Sequence, residues 1–177
     1  MIRDILRRRC ASFMTSYAEA ISLEGQAKVL AKCCQWYDSW APYFSFGAIL
    51  AGVNRDASYR IIGVEEDASR MVSERYETMG SGGTPAKVTL DKGWAPDLDL
   101  VSAQRLAVEA IFHAANRDSG SSPLQVALPT LATVTIDGVT KITDEVVLQM
   151  AAQVLLEKLG IHVDLARAIE RERRRKK

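Results

Sequence analysis

Four segments of this chain place apolar residues at three- and four-residue steps, and only two paired runs of strand-forming residues accompany them. In the first, Ile2, Ile5, Leu6, Cys10, Phe13, Met14, Tyr17 and Ile21 make a stripe on one helix face, opposite Arg3, Arg7 and Arg8. Ser22 interrupts that pattern and suits the cap of a second helix, in which Ala27, Leu30, Ala31, Cys34 and Tyr37 form another stripe ahead of Pro42. A third stripe, Val101, Ala103, Leu106, Ala107, Ala110, Ile111 and Ala114, follows Asp97 and Asp99, which are suited to a helix N-terminus. The fourth helix opens at Thr143 and Asp144 and runs through Leu159 to Gly160, which can end it. Every such face has to be buried against another layer.

The strands lie between these helices. Tyr43 to Val53, the turn residues Asn54 to Ser58 and the run Tyr59 to Val64 predict a hairpin. An extended piece around Met71 to Tyr76 enters Gly80-Ser81-Gly82-Gly83, a turn that lets backbone approach another segment, and a short helix from Pro85 to Leu90 is expected next. Thr130 to Ile136, a turn at Asp137-Gly138 and Val139 to Ile142 predict the second hairpin. Without a repeated βαβ unit the class is layered α+β. Residues 1–160 are expected to form one domain and residues 161–177 a charged helical extension. The strands are few for so many apolar helix faces, so further strands are expected upstream of Met1.

With 23 basic against 22 acidic residues, no net field favours nucleic acid or an anionic membrane. The basic ends read as solvated helix ends, since Glu170 and Glu172 interleave with the tail arginines. Cys10, Cys33 and Cys34 are odd in number and two are adjacent, which suits packing in a reducing cytoplasm better than a disulfide framework. No apolar stretch of a signal peptide follows the basic start, and the longest nearly apolar run, Ala41 to Val53, is too short to span a bilayer.

Known catalytic signatures fail on inspection. The glycine-rich Gly82 to Lys87 has Ala86 and Val88 where a phosphate-cradling loop needs Gly and Ser or Thr, and Met79 stands where a serine-hydrolase elbow needs Gly. His113 and His162 are read without a histidine or carboxylate at ligand spacing, so neither a metal nor another cofactor is expected.

From Phe44 to Ile142, several features occur in one order: Ala48 to Asn54 on a strand, Gly80-Ser81-Gly82-Gly83 after an aromatic strand, and Ala107 to Ile111 on a helix. Asn116 to Ser122, Leu128-Pro129-Thr130 and Asp137-Gly138 follow, while Ser22 to Ala27 extends the set upstream. This series resembles the β subunits of bacterial, actinobacterial-type proteasomes, members of the N-terminal-nucleophile hydrolase superfamily. The resemblance implies part of a four-layer αββα sandwich, lacking its first strands, with Met1 near the start of the first long helix. Those first strands carry the family's mature N-terminal threonine and its aspartate and lysine partners. Because the threonine's own α-amine serves as base, the residue must begin the mature chain. Thr15 on a helix and Thr84 before Pro85 do not suit that place, so the resemblance gives this chain no catalytic residue of its own and implies inactivity when alone.

What the resemblance does place here is a supporting shell: Ser81, Asp118 and Ser121, with Gly80 and Gly82 shaping the turn. From the residues alone, the same side chains read as turn and loop formers. The implied partners are other proteasome β and α subunits in stacked rings, with unfolded proteins as substrates of a compartmentalised threonine-type endopeptidase. Two alternatives stand beside it: a non-catalytic structural subunit of such rings, and an unrelated small α+β binding protein with basic ends.

Overall fold

A computed structural model describes residues 2–40, 46–124 and 126–164. The elements run α1 (Ile2–Tyr17), α2 (Leu23–Trp40), β1 (Ala48–Val53), β2 (Tyr59–Val64), β3 (Arg70–Ser73), α3 (Gly83–Gly93), α4 (Leu100–Arg117), β4 (Ala132–Thr135), β5 (Gly138–Lys141) and α5 (Asp144–Leu159). The chain divides into two compact units, Met1–Met79 with Val134–Asp137, and Gly80–Thr133 with Gly138–Lys177.

In the first unit α2 starts where the sequence breaks the α1 pattern. The Ser22 hydroxyl accepts the Gly25 backbone N–H at 3.1 Å, satisfying a donor that the first helical turn leaves open. Leu23, Ala27, Leu30, Ala31 and Cys34 then bury the α2 face against Ile62 and Val64 of β2, with Phe46, Ala48, Leu50 and Ala68 at the margin. The α1 stripe is covered less completely: Ile5, Leu6, Cys10 and Phe13 are half-buried, whereas Met14 and Tyr17 are exposed.

The sheet order is β1-β2-β3, antiparallel throughout, with Ala48 opposite Val64 and Val53 opposite Tyr59 in the first pair. The β1–β2 and β2–β3 turns repeat one design around Asp-Ala-Ser. Asp56 Oδ1 accepts the Ser58 N–H at 3.0 Å, and Asp67 Oδ1 accepts the Ser69 N–H at 2.8 Å. Ala57 and Ala68 sit between, at φ +62° and +64°, a left-handed conformation that costs a residue with a Cβ about 1–2 kcal/mol. Ala57→Gly and Ala68→Gly relieve this strain and give back about 0.4–1 kcal/mol through the looser unfolded chain. Each is expected to raise stability by up to about 1 kcal/mol, read from the urea midpoint at unchanged slope.

In the second unit α3 is longer than the expected Pro85–Leu90 segment, spanning Gly83–Gly93. Pro85 lies in the first turn, where its missing N–H costs no bond, and Asp91 and Lys92 continue the helix. Asp99 caps α4 by accepting the Ser102 N–H at 3.0 Å. Ala86, Ala110 and Ala114 bring α3 and α4 together. On its other side α4 gives Val108 and Phe112 to a core with Leu124, Met150, Ala151, Val154 and Leu155. Gly160, at φ +65°, closes α5 by donating to the Leu156 carbonyl at 2.9 Å. The β4–β5 hairpin turns at Ile136-Asp137, one residue earlier than expected, and Gly138 begins β5 at φ +125°. Residues 161–164 are irregular, and the rest of the expected helical extension lies outside the described residues.

Candidate functional site

Ser81 stands in the turn that leads into α3. Gly80 takes φ +88°, which glycine adopts without strain, and its carbonyl accepts the Gly83 N–H at 2.9 Å. Asp118 closes α4, donating its backbone N–H to Ala114 at 2.9 Å, and the Ser121 N–H returns to the Asp118 carbonyl at 3.2 Å. Since α3 begins beside the end of α4, turn and loop meet. Ser81 Oγ donates to Asp118 Oδ2 at 2.9 Å, and Ser121 Oγ donates to the same oxygen at 2.7 Å.

Glycines permit this approach. A Cβ on Gly82 would lie 2.7 Å from Ser121 Oγ and 3.1 Å from the Ala114 Cβ, and one on Gly120 would lie 3.0 Å from Ser81 Oγ. The structure thus brings together Ser81, Asp118 and Ser121, with Gly80 and Gly82 in the supporting turn.

The Ser121 hydroxyl first, and the Ser81 hydroxyl next, hold the Asp118 carboxyl below its ordinary pKa by hydrogen bonding its charged form. The Gly120 backbone adds a further hydrogen bond, so the group is ionised at neutral pH, and a carboxylate with about four acceptor sites can still accept from an ammonium or hydroxyl. Among the described residues neither serine is hydrogen-bonded to a histidine or lysine, so the cluster suits orientation and proton handling better than nucleophilic attack. A depressed carboxylate pKa contributes stability above the unfolded-state value and loses it as pH falls through the folded one. Ser121→Ala is expected to raise the Asp118 pKa toward the ordinary carboxylate value and start that loss at higher pH. Carboxyl carbon NMR through an acid titration reads both.

Other candidates resolve differently. Cys33 and Cys34 are buried free thiols whose pKa values burial pushes up, so packing is what they offer. Cys10 is half-buried and its pKa is also raised by burial. His162 is exposed in the irregular segment after α5. The reading that His113 has no carboxylate at ligand spacing needs correction, because Glu109 stands one helical turn earlier with its Oε1 3.7 Å from His113 Nε2. Arg117 continues that four-residue series, a signal present in the sequence and missed there. Among the described residues no group of three or more His, Cys, Asp or Glu could hold a metal ion, and no helix is long and apolar enough to cross a membrane.

A family model described as proteasome subunit matches residues 1–128, which include the whole cluster. The chain belongs to the proteasome subunit family. It is of the bacterial β type, and its helices and small sheets make it an α+β member of the N-terminal-nucleophile hydrolase fold class. A proteasome subunit beta of Acidimicrobium ferrooxidans is 32% identical over 156 residues, covering 84% of this chain and 53% of that protein. A proteasome subunit beta of Frankia alni is 32% identical over 114 residues, covering 62% of this chain and 42% of the relative. Proteasome subunit beta type-5 of Dictyostelium discoideum is 30% identical over 116 residues, or 66% and 41%. The chain spans about half the length, or less, of these proteasome relatives.

Proposed function

We propose that this chain works as part of a proteasome β subunit, in stacked rings with other β and α subunits, within a cytoplasmic threonine-type endopeptidase that degrades unfolded proteins. The Ser81–Asp118–Ser121 cluster, held on a glycine turn within the family-matched residues, is the observation that carries this reading. In it, a threonine at a free N-terminus attacks the peptide carbonyl and its own α-amine takes the hydroxyl proton. Asp118 accepts a hydrogen bond from the resulting ammonium, and the two serines fix the carboxylate. Thr15 does not suit the nucleophile's place, because it lies within α1 with its hydroxyl on the Ala11 carbonyl at 3.0 Å. Thr84 lies in the first turn of α3, before Pro85.

Exposed apolar side chains support association. Met71 and Val72 on the edge strand β3 are each 55% exposed, an arrangement that favours covering by another chain. Joining this chain behind the threonine-bearing strands of a complete bacterial β subunit and co-expressing it with α subunits, followed by native mass spectrometry and a peptidase assay, tests the proposal. Mixed rings that cleave unfolded protein are expected. Mixed rings in which sites formed with this chain are silent would instead mark a non-catalytic subunit, and monomeric behaviour in the presence of the partner would contradict ring assembly.

A further inference from the structure

Glu109, His113 and Arg117 share one face of α4. With α3 that face borders a cleft of about 420 Å³, within the roughly 300–1,000 Å³ range of small-molecule sites. The two helices run antiparallel, since a Cβ on Gly82 would meet Ala114 and one on Gly93 would meet Leu106. Arg117 and Lys92, each in the last turn of its helix, therefore stand at opposite ends of the cleft, with Val88 and Leu106 between.

The charges are unequal. Glu109 is the carboxylate lining the cleft, and Lys158 Nζ binds its Oε1 at 2.6 Å, with His113 on the same oxygen. Lys92 and Arg117 have no ion pair among the described residues. The cleft thus holds one neutralised carboxylate, two available cations whose backbones lie roughly 15 Å apart along α4 (about ten residues at about 1.5 Å rise) and whose long side chains can close part of that span, and an apolar stretch in the middle.

We propose that this cleft binds an elongated organic dianion, with carboxylate or phosphate ends on an apolar body. A compact inorganic anion satisfies one end and leaves Val88 and Leu106 uncovered. A neutral apolar molecule covers the middle and leaves both cations without a counter-charge. The Arg117 fork can grip either kind of anionic end through two parallel hydrogen bonds.

Titration of the isotope-labelled full chain with octanedioate, octanoate, octane-1,8-diol and inorganic phosphate, followed by amide NMR, tests the assignment. Octanedioate is expected to give saturable shifts confined to α3, α4 and the end of α5. Octanoate and phosphate should bind at least about tenfold more weakly, the loss of one charge-assisted end, and the diol should give no saturable shift. Lys92→Gln and Arg117→Gln should each reduce octanedioate affinity to the octanoate level, with melting curves confirming that the variants fold. Equal affinity for octanedioate and octanoate, phosphate binding as tightly as the dianion, or no saturable response would overturn the proposal. Undiminished octanedioate affinity in both folded variants would do the same. If a variant does not fold, the ligand series on the unchanged chain decides.

Discussion

Phe112→Ala will lower the unfolding free energy of this chain by about 3–5 kcal/mol, the cost of emptying a core site that large. Phe112 is 3% exposed and packs among Val108, Leu124, Met150, Ala151, Val154 and Leu155, a group that joins α4 to α5 and to the loop after α4. The neighbours come from helices held in place, α4 by its Asp99 cap at the start and α5 by Gly160 at the end, so the space cannot simply collapse. Domains are stable by only about 5–15 kcal/mol, and the loss is a large part of that total. Ile111, the adjacent residue, is 42% exposed, and Ile111→Ala should cost less than about 1 kcal/mol. Urea denaturation followed by circular dichroism compares the two. Equal losses would show that the α4–α5 packing does not hold this unit together.

In rings whose β subunits carry the family's threonine-bearing strands ahead of this chain's residues, Asp118→Asn will lower kcat about 100-fold per site, the lower end of what a positioned proton-handling group contributes, with little change in KM. The substitution keeps the size and planarity of the side chain and removes its charge. In the unchanged chain both serine hydroxyls donate to Oδ2, and the charged carboxylate keeps further acceptor sites for an ammonium. An amide can still accept on its oxygen, but its nitrogen only donates and cannot stabilise an ammonium. Ser121→Ala and Ser81→Ala should cost about tenfold each, as losses of one hydrogen bond to a charged group. A cluster that only shapes the loop would behave differently: Asp118→Asn would lower the melting temperature while kcat per assembled ring stayed the same.

How much of the fold and site is legible from residues depends on the range of the interaction that fixes each feature. The helix starts at Ser22 and Asp99, and the end at Gly160, depend on contacts within four residues, and the sequence states them directly. Asn54 to Ser58 reads as a turn for the same reason, yet the matching Asp67-Ala68-Ser69 turn does not, because the short strand at Arg70 shows no alternation that would mark it. The length of α3 exceeds the local expectation because its continuation to Gly93 is settled by packing against Leu106, far along the chain. The meeting of Ser81 with Asp118, 37 residues apart, follows from no local pattern. It depends on Ala86, Ala110 and Ala114 letting two helices lie close, and from sequence it comes only through family resemblance. Glu109, His113 and Arg117, by contrast, follow a simple four-residue series, but their meaning appears only when Lys92 arrives from α3 and Lys158 from α5.

The site is tested most directly by a structure of rings whose β subunits carry the threonine-bearing strands ahead of this chain's residues, trapped with a covalent threonine-directed inhibitor. The α-amine of the modified threonine is expected within about 3 Å of the Asp118 carboxylate or of Ser121 Oγ, in hydrogen-bond reach. A modified threonine several ångströms beyond that reach, with Ser81, Asp118 and Ser121 bonded only to one another, would contradict that expectation.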